Sequence, residues 1–578
     1  MNAKEEFLRW KNSGLLTAEE LAEMAAIETD ADTIALRFGA PMSFGTAGLR
    51  STMYMGQGCM NRFTVAQTTA GIAALVKKEG GEDRGVAIAY DSRNHSAEFA
   101  AVCAEVLAAQ GIRAYLFDDI RPTPELSFAL RELHCMAGIN ITASHNPKEY
   151  NGYKAYWEDG AQISPEQSAI VAQAIAEVDV LRGAARMPLS QAVEKGLVTM
   201  LTEDFDERYL AAVEKTAIHP EYIREAGEDL KIVYTPLHGA GRRLVPLILR
   251  RMGMAHLYTV PEQMIPDGNF PTVKKPNPEY ADVFALGIEI AKREGSDLII
   301  ATDPDADRVG VMSRKGDGSF ATITGNQMGA LLLDYVIRAR REAGLLLPGA
   351  FAVKSIVSTD LAAAIAEKQG VLLYDVFTGF KFIGEVIKRY EAKGQEDRFL
   401  CGFEESYGYL FGTYARDKDA VGATMMIVEM TAYYRKKGMT LSDALEALYR
   451  TYGLYREGVL DLYMEGLDGI KRRHALMQNL RLEPPAAFAG VPVCAAVDYA
   501  AGTVKDVSSG KVSAVSAELG RSDVLCYKLE NGDKIVVRPS GTEPKVKFYF
   551  LCHGEEEKAL ADKVEAYRTA AKEMADKV

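Results

Sequence analysis

The sequence predicts an α/β protein: three similar mixed or parallel-sheet α/β domains and a smaller C-terminal α+β domain, packed around a central cleft. The first observation is a recurring unit, a β-type run that ends in a polar loop and leads into a helical stretch. It occurs at Gly85–Asp91 before 96–110, at Lys231–Pro236 before 242–252, and at Phe351–Val357 before 360–369. Strands alternating with helices imply parallel sheets covered on both faces. The second is a change of pattern after about residue 455, where alternating strands with Val536, Val546, Phe548 and Phe550 precede a helix from Glu555 to the end. No low-complexity linker separates the pieces, so a common cleft is expected.

The length of 578 residues exceeds one core, and about three or four domains are expected. The boundaries fall at 1–203, 204–322, 323–455 and 456–578. Apolar residues at 48% and charged residues at 25% are ordinary globular usage. A formal charge of −13 disfavours nucleic acid or an anionic membrane surface as partner, whereas a small anionic substrate in a cleft is compatible with it. The seven cysteines are scattered and never spaced as C-x-x-C, which fits a reducing, cytoplasmic setting and argues against a disulfide frame or a zinc site. The start is charged, unlike a signal peptide, and no apolar run reaches the ~18 residues of a membrane span.

Taken in order, residues 1 to about 40 show helical spacing of apolar positions, closed by Gly39-Ala-Pro41. Phe44-Gly-Thr-Ala-Gly-Leu-Arg50 follows, a small-residue loop whose backbone N–H groups and Arg50 guanidinium suit an anion, although such a stretch alone is also a tight turn. Cys135–Pro147 reads as a short buried strand through Ile139 and Ile141, with Ser144 on the loop at its end. Open α/β sheets hold ligands there. Taken alone, Ser144 reads as a loop-forming serine. A serine hydroxyl attacks only with a base nearby, or acts when it already carries the group to be transferred. His145 is adjacent in sequence, but neighbours on an extended loop point apart. Just beyond, Asn151-Gly-Tyr-Lys154 offers a lysine on a glycine loop.

Three further stretches carry chemistry. Ser296–Val311 runs from an apolar strand into Asp303, Asp305 and Asp307, followed by Arg308. Two carboxylates about 4 Å apart repel by roughly 4 kcal/mol at an effective dielectric of 20, a cost that a divalent cation removes. An EF-hand is excluded, because Arg308 and Arg314 stand where it needs glycine and glutamate. Hard oxygen ligands favour Mg²⁺; the alternative is a solvated acidic turn. Asp533–Lys545 places Arg538, Ser540, Gly541 and Thr542 in a loop between strands, a set that suits phosphate oxygens. Neither a nucleotide P-loop nor G-x-G-x-x-G occurs, so the phosphate is expected on a small molecule. Cys401–Gly408 carries Glu404 and Ser406, which suit vicinal sugar hydroxyls and would equally suit a surface loop, and Thr378-Gly379-Phe380-Lys381 offers another lysine on a glycine loop.

Together these stretches resemble the α-D-phosphohexomutase family, the phosphoglucomutases and phosphomannomutases. G-T-A-G-L-R, T-A-S-H-N-P, D-P-D-A-D-R, the E-E-S loop and R-P-S-G-T-E-P stand in the family's order over nearly the whole chain. The Gly-Phe-Glu-Glu-Ser-Tyr-Gly variant is similar to the long bacterial phosphoglucomutase branch. The resemblance implies a phosphoserine at Ser144, one Mg²⁺ per chain on Asp303, Asp305, Asp307 and Ser144, and sugar recognition by Glu404 and Ser406. It implies that Arg538, Ser540, Gly541 and Thr542, with Arg50, Thr378 and Gly379, bind substrate, and that His145, Lys154, Arg308 and Lys381 serve catalysis. The implied reaction interconverts glucose 1-phosphate and glucose 6-phosphate through glucose 1,6-bisphosphate, as intermediate and activator, in a monomer or weak dimer. Phosphomannomutase and phosphopentomutase are the alternatives within the family. A phosphate-ester hydrolase using Ser144 is the alternative outside it.

Overall fold

The computed structural model describes residues 2–464, 466–515, 519–540 and 545–577. They form two compact units, residues 1–323 with 408–437, and residues 324–407 with 438–578.

The first unit contains two mixed sheets. Strands β1 (Leu49–Thr52), β2 (Val86–Tyr90), β3 (Ala114–Phe117), β4 (Ala137–Ile141), β5 (Tyr150–Trp157) and β6 (Val198–Leu201) lie in the order β1-β5-β4-β2-β3-β6. β2, β3, β4 and β6 are parallel, whereas β5 runs antiparallel to β4 and β1 antiparallel to β5. The central strands are apolar runs because both their faces are covered: all five residues of β2 and of β4 are buried, and the helices Arg62–Lys78 and Ser96–Ala109 pack into the same core. The second sheet has the order β11-β10-β9-β7-β8, from β7 (Lys231–Thr235), β8 (His256–Thr259), β9 (Leu298–Thr302), β10 (Val309–Arg314) and β11 (Phe320–Ile323). Here β10 turns back antiparallel on β9, with Val309 opposite Thr302. Sequence spacing suggested parallel strands; the antiparallel β5, β10 and β11 follow short connections, which have no room for a crossover helix, and β1 pairs with β5 from far along the chain.

Residues 1–40 form three short helices, Ala3–Lys11, Ala18–Ala26 and Ala31–Phe38, started by Asn2, Thr17 and Asp30 caps. They close a small core of Phe7, Trp10, Met24, Ile34 and Phe38 over Met55 and Phe63.

In the second unit, β12 (Phe351–Ser355) lies parallel between β13 (Leu372–Val376) and β14 (Phe399–Glu404). β15 (Gly408–Leu410) begins the segment that belongs to the first unit. An antiparallel sheet follows: β16 (Leu454–Tyr463), β17 (Ala487–Phe488), β18 (Val491–Asp498), β19 (Thr503–Asp506), β20 (Val512–Ala514), β21 (Leu525–Leu529), β22 (Lys534–Pro539) and β23 (Lys545–Gly554). Its order is β16-β23-β22-β21-β18-β19-β20, with β17 paired to β18. Val537 and Phe548 face the C-terminal helix Glu557–Asp576, and Val536 and Tyr549 face Val357 and Phe377. Both faces of the central strands β22 and β23 are therefore buried, whereas β19 and β20 at one edge are largely exposed. The helix buries Leu560, Val564, Tyr567 and Ala571 on one stripe, with Met574 partly buried.

The turn before β1 depends on Gly48, whose φ is +77° and whose added Cβ would lie 1.8 Å from the Tyr153 carbonyl oxygen. Gly14 has a similar φ, +73°, but open space around it. Gly48→Ala is expected to lower stability by at least ~3 kcal/mol, against ~1 kcal/mol for Gly14→Ala, because only the first adds a backbone collision to the conformational strain. Denaturant unfolding of both variants checks this; equal losses would contradict the close approach.

Candidate active site

The first unit brings together Ser144, His145, Arg50, Lys154, Arg308 and the three aspartates. Ser144 follows β4 in a left-handed conformation, φ +52°. Its amide donates to Thr142 Oγ1 at 2.8 Å, and its hydroxyl donates to Asp303 Oδ2 at 2.7 Å. His145 Nδ1 lies 3.1 Å from the same hydroxyl oxygen. The two side chains do not point apart as expected, because Ser144 is not extended. Burial, with Arg308 and Arg50 nearby, holds the His145 imidazole well below its ordinary pKa, so it is neutral at neutral pH. Arg50 lies on strand β1, not in the preceding loop, and its Nη1 donates to Asn146 Oδ1 at 3.0 Å.

The aspartates occupy the hairpin between β9 and β10. Asp303 Oδ1 accepts from the amides of Asp307 at 3.2 Å and Arg308 at 3.0 Å, and Ala306 takes φ +50°. This turn converges the carboxylates, and one oxygen of each lies within 4.8 Å of the others. All three residues are buried. Burial and the charges of Asp305 and Asp307 push the Asp303 carboxyl well above its usual range. Burial pushes Asp305 the same way, but the Lys154 ammonium outweighs it and holds that carboxyl below the usual range.

Lys154 sits on β5, in a strand and not the glycine loop expected. Its Nζ donates to Asp305 Oδ2 at 2.7 Å and lies 3.4 Å from Asp307 Oδ2. Burial disfavours its charge, yet Asp305 and Asp307 keep its pKa above the ordinary lysine value. Its cross-strand partner Asn140 donates to Thr123 Oγ1 at 2.7 Å, and that hydroxyl donates to Asp305 Oδ2 at 2.8 Å. Arg308 pairs with Glu279 at 2.7 Å.

Sequence reasoning missed Lys418, whose Nζ is 3.1 Å from Asp307 Oδ2 and 2.9 Å from Asp417 Oδ1. It lies in Arg416-Asp-Lys-Asp419, which reads as a solvated charge run but is buried. It also missed Thr123, Asn140, Asp91 and Arg93. A polar residue inside a buried strand, as Asn140 is, was the available signal.

The residues fit a divalent cation. Among the described residues Asp305 Oδ1 and Asp307 Oδ1 are buried without a hydrogen-bond partner, Arg308 Nε lying 3.9 Å from the latter, and one hard carboxylate oxygen of each aspartate lies within 4.8 Å of the others.

The second unit holds the other expected residues. Glu404 is the last residue of β14 and so belongs to a strand, not to the following loop; it is buried, and its Oε1 accepts from the Gly379 amide at 2.6 Å. Gly379 (φ +126°) opens the helix Phe380–Glu391, whose first turn carries Lys381, and the buried Thr378 hydroxyl has no hydrogen-bond partner among the described residues. Ser406 is half-buried in the turn after β14, and the neighbouring Glu405 accepts from Ser355 Oγ at 2.9 Å. Arg538 sits near the end of β22, with Nη1 3.4 Å from the Tyr549 hydroxyl, and the Ser540 amide donates to Lys545 O at 2.9 Å. Burial and the charge of Glu405 raise the Tyr549 pKa, while Arg538 opposes them. Gly541 and Thr542 lie outside the described residues.

The chain matches the phosphoglucomutase/phosphomannomutase family in four consecutive parts: alpha/beta/alpha domain I at 41–181, domain II at 207–316, domain III at 324–452 and the C-terminal domain at 486–567. The phosphoglucomutase of Staphylococcus saprophyticus is 36% identical over 529 residues, 92% of this chain and 94% of that protein. That of Staphylococcus aureus strain N315 is 36% identical over 530 residues, 92% and 93% of the two chains. Among solved structures, the open form of Paramecium pp63/parafusin matches with a TM-score of 0.67 at 18% identity, covering 93% of this chain and 95% of that one. A phosphoglucomutase/phosphomannomutase family protein of Burkholderia thailandensis matches with a TM-score of 0.64 at 19% identity, over 92% and 97%. These two likenesses concern the fold.

Asp305→Asn keeps the shape of the turn and removes one charged ligand. Titration calorimetry with Mn²⁺ is expected to show one site in the native protein and an affinity at least ~10-fold lower in the variant. Absence of a site in the native protein, or equal affinities, would contradict the cation reading.

Proposed function

The chain belongs to the phosphoglucomutase/phosphomannomutase family, and we propose that it interconverts α-D-glucose 1-phosphate and glucose 6-phosphate through a phosphoserine at Ser144. The observation that carries this reading is the Ser144 hydroxyl, 2.7 Å from Asp303, on a strained turn facing three buried carboxylates and a buried lysine. The name of the relatives at 36% identity supports glucose as the sugar.

In the proposed reaction the bond from phosphorus to Ser144 Oγ breaks as one forms to the 6-hydroxyl oxygen of glucose 1-phosphate. This gives glucose 1,6-bisphosphate and a free serine. After the sugar reorients, Ser144 Oγ attacks the 1-phosphoryl group, glucose 6-phosphate leaves, and the phosphoserine is restored. Phosphoryl transfer of this kind rests on positioning and charge neutralisation. A Mg²⁺ ion held by Asp303, Asp305 and Asp307 would neutralise charge on the phosphoryl oxygens.

The remaining work falls to side chains of the chain itself. The Lys154 ammonium, held beside Asp305 and Asp307, can donate a hydrogen bond to a reacting sugar oxygen and give a proton to the 1-oxygen as it leaves. The neutral His145 imidazole can hydrogen-bond to a phosphoryl oxygen or to Ser144 Oγ without adding charge. Arg308, fixed by Glu279, adds a cation beside the carboxylates. In the second unit, Glu404 and Ser406 suit sugar hydroxyls, while Arg538 and Ser540 suit the phosphate that is not in transfer.

The test is turnover of purified protein with glucose, mannose, glucosamine and ribose 1-phosphates plus a trace of the matching bisphosphate. Glucose 1-phosphate is expected to give the highest kcat/KM, and Ser144→Ala is expected to lower kcat at least ~10³-fold with bound substrate retained. A higher kcat/KM for another sugar would reassign the substrate, and an active alanine variant would overturn the serine route.

A further inference from the structure

Arg93 takes no part in the steps above, yet its guanidinium is fully buried: Nη1 and Nη2 donate to backbone carbonyls, while Nε, which makes no hydrogen bond among the described residues, is held only by an ion pair with Asp91. Nη1 donates to the carbonyls of Pro147 at 2.9 Å and Tyr150 at 3.0 Å. Nη2 donates to those of Ser144 and Asn146, both at 2.5 Å. Nε lies 3.3 Å from Asp91 Oδ2. One planar cation thus gathers four carbonyls of the loop from Ser144 to Tyr150, an arrangement that lysine, with three donors on one nitrogen, cannot copy.

Asp91 completes the hold. Its Oδ1 accepts from the Arg93 amide at 2.9 Å and from Ser96 Oγ at 2.8 Å, and its Oδ2 accepts from Thr142 Oγ1 at 2.6 Å. That threonine oxygen accepts the Ser144 amide. The amide of Ser144 is therefore tied to Asp91 through Thr142, and its carbonyl to Arg93. These ties hold both sides of a residue whose φ of +52° is unfavourable for a side chain other than glycine.

A third segment secures the arginine. The Phe270 ring lies 5.1 Å from the guanidinium carbon, and Asn94 Nδ2 donates to Asn269 Oδ1 at 3.3 Å. Gly268 packs so closely that an added Cβ would be 2.3 Å from the Asn94 amide nitrogen. The same stretch of chain supplies Glu279 to Arg308.

We propose that Asp91 and Arg93 are positioning residues for phosphoryl transfer: they hold Ser144 in the left-handed conformation that aims Oγ at Asp303, and the turn through Gly268–Phe270 holds Arg93 in place. The inference rests on the phosphoserine reading, but it also predicts a loop property independent of activity.

The test uses the full chain, with Arg93→Lys and the milder Thr142→Val. Three quantities are measured: the rate at which glucose 1,6-bisphosphate phosphorylates Ser144, by intact mass; kcat and KM for the sugar 1-phosphate; and amide hydrogen exchange over residues 143–150. Arg93→Lys is expected to slow phosphorylation and kcat by ~100-fold and Thr142→Val by ~10-fold, with KM within ~3-fold of native. Exchange over 143–150 is expected to quicken at least ~10-fold in both variants, with the rest of the unit unchanged. Native exchange over that loop, or a raised KM with native kcat, would overturn the proposal. Should Arg93→Lys fail to fold, Thr142→Val decides by the same readings. If the native protein takes no phosphoryl group from the bisphosphate, the proposed reaction falls, while the exchange measurement still decides the positioning role.

Discussion

Three carboxylates buried in one turn are the constraint on which the first unit depends. At an effective dielectric of 20, each close pair repels by roughly 4 kcal/mol, and burial adds a desolvation penalty. Lys154 and Lys418 offset part of it, and both reach the turn from elements far along the chain. Asp305 Oδ1 and Asp307 Oδ1 have no hydrogen-bond partner among the described residues, although Arg308 Nε lies 3.9 Å from the latter, so the turn could hold a cation.

The sheets make this arrangement possible by supplying rigid ends. β4 delivers Ser144 and β9 delivers Asp303, both at carboxyl ends of strands buried on two faces. The antiparallel strand β5 is equally necessary. Its register sets Lys154 opposite Asn140, and these neighbours converge on Asp305, one directly and the other through Thr123. A hydroxyl fixed in this way loses little freedom on reacting, which is where much of the rate of a positioned phosphoryl transfer originates.

Much of this was legible in the sequence, because the groups proposed to do the chemistry are clustered along it. Ser144 lies at the end of an apolar run, and Asp303, Asp305 and Asp307 follow another, so strand and loop could be read together. What links them could not. Ser144 and Asp303 are 159 positions apart, and Lys154 and Asp305 are 151 apart; no local pattern carries such a pairing. Lys154 was expected in a loop because Gly152 precedes it, yet Gly152 is a strand residue whose added Cβ would be 2.6 Å from the Thr142 carbonyl oxygen. Lys418 and Arg93 sit in Arg-Asp-Lys-Asp and Asp-Ser-Arg, which look like solvated polar stretches until tertiary contacts bury them. The assignment of 408–437 to the first unit likewise depends on packing, since its long helix Ala420–Lys436 is buried on every side through Tyr434 and its sequence does not say which core takes it.

The central claim is that the phosphoryl group on Ser144 ends on the sugar. The most direct measurement charges the serine with isotopically labelled phosphoryl, removes the donor, and adds unlabelled glucose 1-phosphate for a single turnover. Label at the 6-position of glucose 6-phosphate or of the 1,6-bisphosphate, with unlabelled phosphoryl restored to the enzyme as product forms, is the predicted result. Label released as inorganic phosphate, or label that stays on Ser144 while glucose 6-phosphate accumulates, would contradict it.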